Sequence, residues 1–244
     1  GSLLNFSRLE KNISKSDVVY HFAAIADIDE GLKKPIETAN TNILGTIYAL
    51  ELSRKHKIKR FIHASSIYVL SKEGGFYRCS KKAAEDYVEE YQKMFGLNFT
   101  VLRFGSLYGE RANNTNGVTS IISKAISTGE LSYVGHKTAI RQYIHVLDAA
   151  KASVTILKNK FKNQHIILTG KKKIKVHYLL KSLNKILKTK KKIKILNKKY
   201  VGHYTKIPHT HKLKKGKKFF FKSHFNFNDS LLRLTKSIKL SRKT

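Results

Sequence analysis

The sequence predicts an α/β protein: a doubly wound parallel sheet followed by a smaller, mixed C-terminal lobe. Three observations predict it. Short apolar runs rich in valine, isoleucine and aromatics recur at 17–25, 59–66 and 99–108. Between them lie stretches long enough for helices, with apolar residues at helical spacing. Each run also ends in small or hydroxylated residues, namely Ala23-Ala24, Ser65-Ser66 and Gly105-Ser106. Strands alternating with helices imply parallel pairing through right-handed crossovers. In such sheets ligands bind beyond the carboxyl ends of the strands.

Each element has its own justification. DVVYHFAAI (17–25) is a short buried strand. From Pro35 to His56 the spacing through ILGTIYALEL predicts a helix, with Pro35 suited to its first turn. KRFIHASS (59–66) is the next strand and Tyr77 to Phe95 the next helix. FTVLRFGSLY (99–108) and VTSIISKAIS (118–127) form the following strand–helix pair. After Gly129 the pattern changes. LSYVG and RQYIHV read as short strands flanking a turn, Asp148 to Leu157 as a helix with Asp148 as its cap, and HIILTG (165–170) as a strand. VHYLLKSLNKILK (176–188) is an amphipathic helix and KIKIL (192–196) a strand. NDSLLRLTKSIKL (228–240) is a final helix capped by Asn228 or Asp229. Residues 197–227 carry no assignable pattern.

At 244 residues and 41% hydrophobic content, the chain can bury the core of one domain or one and a half. A single cysteine, Cys79, excludes an internal disulfide framework and fits a reducing compartment. No apolar run approaches the ~20 residues that span a bilayer. The charge is lopsided: 49 basic residues face 16 acidic ones. From Lys171 to Thr244 there are 25 basic residues and one acid, Asp229. Such asymmetry can mark a surface for nucleic acid or anionic lipid. Only nine of the 49 are arginine, the residue suited to bidentate phosphate and base recognition, and the tail aromatics do not interleave with the lysines. A solvated lysine-rich surface is therefore favoured over a nucleic-acid site.

Five motifs occur in order: HFAA (21–24), N-x-x-G-T (Asn42 to Thr46), RFIHASS (60–66), Y-x-x-S-K (Tyr77 to Lys81) and LRFGSLYGER (102–111), with R-x-Y-I-H-V-x-D-A-A (141–150) beyond them. Their order and spacing resemble the extended short-chain dehydrogenase/reductase family, the NAD-dependent nucleotide-sugar epimerases and dehydratases. The resemblance covers roughly residues 1–170. It implies a Rossmann-like NAD-binding domain over residues 1–130, N-terminally truncated, and a substrate-binding lobe with the lysine-rich region over 131–244. The family's glycine-rich pyrophosphate turn does not occur in the chain. If GSLLN matches the Gly-Asp segment after the family's third strand, about two βα units are expected upstream. A chain truncated in this way is expected to bind dinucleotide poorly.

The chemistry of Tyr77 and Lys81 can be reasoned from their spacing. A phenol with a pKa near 10 is a poor base at pH 7. A lysine one helical turn on shares its face and places a positive charge near the phenol oxygen, favouring phenolate. By the resemblance, Tyr77 exchanges a proton with a sugar hydroxyl while hydride moves to or from NAD. Lys81 tunes Tyr77 and holds the nicotinamide ribose, and Ser66 orients the hydroxyl. Ala23 and Ala24 give the cofactor close backbone approach, Ser65 and Phe104 line its pocket, and Asn42 holds main chain behind the site. Ser106, Arg111 and Arg141 stand on the substrate side, Arg141 toward the diphosphate.

Departures from the family pattern limit substrate identity. Leu70-Ser71 replace a frequent Tyr-Gly, Ser106 an asparagine, Gln142 an acid and Ser2 an aspartate. Ile67 and Tyr68 stand where 4,6-dehydratases carry Asp-Glu, which disfavours dehydration. The expected activity is that of an NAD-dependent nucleotide-sugar epimerase, of UDP-sugar 4-epimerase type. The alternatives are a nucleotide-sugar reductase with the same triad, or an inactive basic scaffold for anionic polymer. The resemblance also implies a cytoplasmic homodimer pairing helices 35–56 and 77–95, in polysaccharide assembly. No metal site is expected: His203, His209 and His211 lack a specific spacing, and Cys79 reads as a small helix residue.

Overall fold

The computed structural model describes residues 1–189, 193–196, 202–208, 216–219 and 225–242. The chain divides into two compact units that alternate along the sequence. The first comprises Gly1–Phe104, Ser153–Ile167 and Pro208–Phe219; the second comprises Gly105–Ala152, Leu168–Ile207 and Phe220–Thr244. In chain order the helices are α1 (Phe6–Ile13), α2 (Ile28–Lys33), α3 (Pro35–Ala39), α4 (Gly45–Lys55), α5 (Gly75–Phe95), α6 (Gly117–Thr128), α7 (Val146–Thr155), α8 (Val176–Leu187) and α9 (Phe227–Leu240). The strands are β1 (Val18–His21), β2 (Arg60–Ser66), β3 (Phe99–Phe104), β4 (Ser106–Tyr108), β5 (Ser132–Val134), β6 (Ile140–Arg141), β7 (Tyr143–His145), β8 (Gln164–Leu168), β9 (Ile174–Lys175), β10 (Lys194–Leu196) and β11 (Lys217–Lys218).

The first unit carries a five-stranded sheet in the order β1-β2-β3-β8-β11. The β1–β2, β2–β3 and β8–β11 pairs are parallel, as the alternation of strands and helices predicts. Phe61 and Ile62 of β2 are fully buried, and Phe61 joins Leu50, Leu52, Val88 and Val101 in the core beneath α4 and α5. Truncating a buried phenylalanine such as this one costs about 3–5 kcal/mol. Helix α5 stops cleanly at Gly96, whose φ of 70° is open to glycine at little cost. The Gly96 N–H donates to Gln92 O and the Leu97 N–H to Tyr91 O, closing the last turn.

Three predicted elements are interrupted: RQYIHV divides into β6 and β7 at Gln142, and two others break for a local reason. The helix expected from Pro35 to His56 contains a π-helical stretch, Asn40–Leu44, between α3 and α4. It coincides with the inward-turned amide of Asn42, which is 1% exposed. The strand expected over 99–108 divides into β3 and β4 at Gly105. A Cβ there would lie 2.9 Å from Thr169 Cγ2 and 3.0 Å from the Gln142 carbonyl oxygen, so no side chain fits.

In the second unit β4 pairs parallel with β7, β5 parallel with β10, and β6 antiparallel with β9. Its core brings together α6, α8 and α9 through Val118, Ile122, Leu179, Leu183, Leu231 and Leu234. Both predicted caps are corrected. The N-cap of α9 is Asn226, whose side chain accepts from the N–H groups of Asn228 and Asp229. Helix α7 begins at Val146, and its Leu147 N–H meets His145 Nδ1 at 3.2 Å. Asp148 instead accepts from the Phe225 N–H at 3.1 Å, tying the approach to α9. Of the KIKIL strand, β10 covers Lys194–Leu196, while Lys192 lies outside the described residues. Strand β11, two exposed lysines, gave no apolar signal in the sequence.

Candidate active site

The end of β2 and the start of α5 bring three predicted residues together in the first unit. Ser66 is the last residue of β2, and Tyr77 and Lys81 stand one turn apart on α5. All three are nearly excluded from solvent, at 7%, 8% and 3% exposure. The Ser66 hydroxyl is near enough to the Tyr77 phenol to influence it electrostatically, and the ring of Tyr68 meets that of Tyr77 edge-on with centroids 6.4 Å apart. Lys81 Nζ donates to the Ala64 carbonyl oxygen at 2.9 Å.

The electrostatics differ from the sequence expectation. Burial pushes the Tyr77 phenol above its usual value, and the neighbouring Ser66 hydroxyl pulls it back only in part. Burial lowers the Lys81 ammonium to about 8, against an opposing influence of Glu85. Desolvation disfavours the charged form of both groups, so the pair rests with a neutral phenol beside a readily deprotonated lysine. An ammonium carries three donors, and Lys81 directs one to Ala64. This donor set fits the hydroxyls of a ribose.

Behind this site is a polar cluster that the sequence reading missed. Glu85 follows Lys81 by one turn and is 1% exposed. It accepts from Ser65 Oγ at 2.6 Å, from Arg103 Nε at 2.9 Å and from Arg103 Nη2 at 2.6 Å. His165 adds Nε2 to Glu89 at 2.9 Å. The signal was present in the sequence: Tyr77, Lys81, Ala84, Glu85 and Val88 follow helical spacing, which puts an acid in the inward stripe. Asn42 works from the other side. Its Oδ1 accepts from the Ile25 N–H at 2.8 Å, and its Nδ2 donates to Ile25 O and Ser80 Oγ, each at 2.9 Å. Ser80 Oγ in turn donates to Tyr77 O at 2.9 Å.

The other predicted residues are distributed as follows. Ala23 is exposed and Ala24 half-buried in the loop after β1. Phe104 ends β3, its ring 6.1 Å from that of Phe22. The Ser65 side chain turns toward Glu85. Ser106, Arg111 and Arg141 lie in the second unit. Ser106 lies near the Tyr204 phenol and lowers it against the effect of burial. Arg141 donates to Tyr204 O at 2.8 Å, and its guanidinium lies 4.3 Å from the Tyr204 ring centre. Arg111 is exposed with φ 67°, an uncommon conformation for a residue with a side chain. Cys79 is exposed on α5. His203 is half-buried, whereas His209 and His211 lie outside the described residues.

The sequence model of the NAD dependent epimerase/dehydratase family matches residues 1–170. The chain belongs to this family. Among relatives of this epimerase/dehydratase chain, a Methanocaldococcus jannaschii protein described as "Putative UDP-glucose 4-epimerase" is 30% identical over 178 residues, 66% of this chain and 58% of the relative. The dTDP-D-glucose 4,6-dehydratase of Dictyostelium discoideum is 28% identical over 184 residues, 65% of this chain and 42% of the relative. The chain thus spans about half the length of these two relatives. The UDP-glucuronic acid 4-epimerase of Bacillus cereus, solved with UDP-glucuronic acid and NAD, superposes with a TM-score of 0.84 at 22% identity. That match covers 99% of this chain and 81% of the other. Its likeness establishes the fold, the Rossmann-like parallel sheet flanked by helices.

Proposed function

We propose that this epimerase/dehydratase chain carries the catalytic residues of an NAD-dependent nucleotide-sugar epimerase, of the kind that inverts a hydroxyl-bearing carbon of a UDP-sugar. The observation that carries the reading is the contact of Tyr77 with Ser66, with Lys81 one turn along the same buried helix face. NAD, held through Lys81 and the Ala23-Ala24 turn, would supply the hydride acceptor and donor. The chain's own residues handle the proton and the geometry. Once its own proton has left, Tyr77 as phenolate takes the proton of the reacting hydroxyl, and as the phenol so formed it gives that proton back after the sugar presents its other face. Ser66 holds that hydroxyl in line with Tyr77. Lys81 holds the cofactor ribose through its remaining donors, and its charge offsets that of the transient phenolate. Ala23, Ala24 and Phe104 supply the cofactor side.

Epimerisation is favoured over dehydration by the residues after Ser66. Ile67 is 1% exposed in the core and Tyr68 packs on Tyr77, so neither can relay protons as an Asp-Glu pair would. We further read the protein as a cytoplasmic homodimer whose pairing surface includes exposed Tyr87, Met94 and Phe95 of α5. A monomer at micromolar concentration in light scattering would refute the dimer. The function is tested with the full-length gene product and Tyr77→Phe. Loss of the phenol oxygen should reduce turnover of UDP-sugars by at least about a hundredfold, and turnover within a few-fold of wild type would refute the mechanism. Nicotinamide dinucleotide released on denaturation should approach one per chain for an epimerase.

A further inference from the structure

The second unit holds 25 basic and 4 acidic residues, a formal balance of +21. Its helices α8 and α9 pack on each other and carry five of these cations, Lys181, Lys185, Arg233, Lys236 and Lys239. Helix α9 buries Ser230, Leu231, Leu234 and Thr235. Its opposite stripe presents Leu232, Arg233, Lys236, Lys239 and Leu240 at helical spacing, and the two leucines are 40% and 66% exposed. On α8 the exposed stripe carries Tyr178, Lys181 and Lys185. Asn228, on the α9 stripe, donates to the Tyr178 hydroxyl at 3.2 Å, so the two stripes adjoin. Among the described residues none of Lys181, Lys185, Arg233, Lys236 or Lys239 forms an ion pair.

We propose that the α8–α9 face docks on membrane surfaces rich in anionic lipid, with the lysines over the headgroups and Leu232 and Leu240 in the acyl boundary. Three features favour a lipid surface over nucleic acid. The cations are chiefly lysines, point charges suited to a mobile layer of headgroups rather than to bidentate base or phosphate recognition. Tyr178 is the exposed aromatic of the face, and a lone ring gives no platform for the successive stacking of bases. The exposed leucines are interleaved with the cations. Leucines gain nothing against a phosphate backbone, whereas a lipid surface can bury them beside its anionic headgroups.

The experiment is cosedimentation of the full chain with vesicles of phosphatidylcholine alone, or with about a third phosphatidylglycerol, across a salt series. The anionic vesicles should bind the chain, less so as salt rises, and the neutral ones should not. Lys181→Gln/Lys185→Gln/Lys236→Gln/Lys239→Gln should weaken binding by roughly several hundredfold, at about fivefold per charge. Leu232→Ser/Leu240→Ser should weaken it by roughly tenfold. All six positions are exposed, so both variants should keep the wild-type melting midpoint. Equal binding to both vesicle types overturns the proposal, as does a leucine variant that binds like wild type. Displacement from the vesicles by a DNA duplex at equal phosphate concentration also overturns it, and assigns the face to nucleic acid instead.

Discussion

Arg103 and Glu85 form a two-point ion pair inside the first unit, with both side chains nearly excluded from water at 5% and 1% exposure. The pair joins β3 to α5, and Ser65 adds the end of β2 to the same carboxylate. The helix that carries Tyr77 and Lys81 is therefore fixed to two adjacent strands by one acid. Glu85→Gln would leave the Arg103 guanidinium buried without its counter-charge, at a cost of about 3–5 kcal/mol in urea unfolding. Adding Arg103→Met should recover much of that loss, because it is the orphaned charge that destabilises. A single variant losing less than about 1 kcal/mol would show that water reaches the pair.

Legibility in the sequence followed the scale of the pattern. The strands ending in Ala23-Ala24 and Ser65-Ser66 and the helix bearing Tyr77 were visible because apolar periodicity reflects burial on one face. Features that depend on tertiary partners were not. Asn42 reads as a polar residue in a helix until Ile25 and Ser80 are seen around it. The break at Gly105 follows from the closeness of Thr169, 64 positions along the chain. The Tyr77 phenol was expected to be drawn toward phenolate by Lys81, yet burial raises it and the opposing influence comes from Ser66, and burial is a property no local spacing encodes.

Lys81 gives a pH prediction with a definite sign. Its folded value, about 8, lies below the 10.5 of a free lysine, so the unfolded chain binds the proton more tightly. Stability should rise with pH across the window from about 8 to about 10.5, where the unfolded state still holds a proton that the folded state has released. For a side chain this buried the gain approaches about 3 kcal/mol. The wild-type stability minus that of Lys81→Met isolates it from other titrations. A flat difference over this window would mean that the ammonium is solvated.

Two glycines separate steric from conformational cost. A Cβ on Gly170 would fall 1.9 Å from the Tyr143 carbonyl oxygen, a contact that backbone must move to relieve. Gly170→Ala should therefore lose about 3 kcal/mol or fail to accumulate as folded protein. Gly96 has φ 70° with nothing within 4 Å of its Cβ position, so Gly96→Ala should cost only about 1–2 kcal/mol, that of a left-handed alanine. Equal costs in chemical denaturation would contradict this assignment.

Asn42 is the residue whose loss should separate stability from activity. Its amide satisfies the N–H and C=O of Ile25 and meets Ser80, which is bonded to the carbonyl of Tyr77 itself. Asn42→Ala leaves those buried groups without partners, and at about 1 kcal/mol per hydrogen bond the loss should be about 3 kcal/mol. A residue that only stabilised the fold would leave turnover unchanged wherever the variant remains folded. Because this chain of bonds ends on the first turn of the helix that aims Tyr77, turnover of the full-length gene product should also fall, by about tenfold or more, since small misplacements of a reacting group are costly. Turnover preserved at a temperature where circular dichroism shows the variant fully folded would reduce Asn42 to a structural amide.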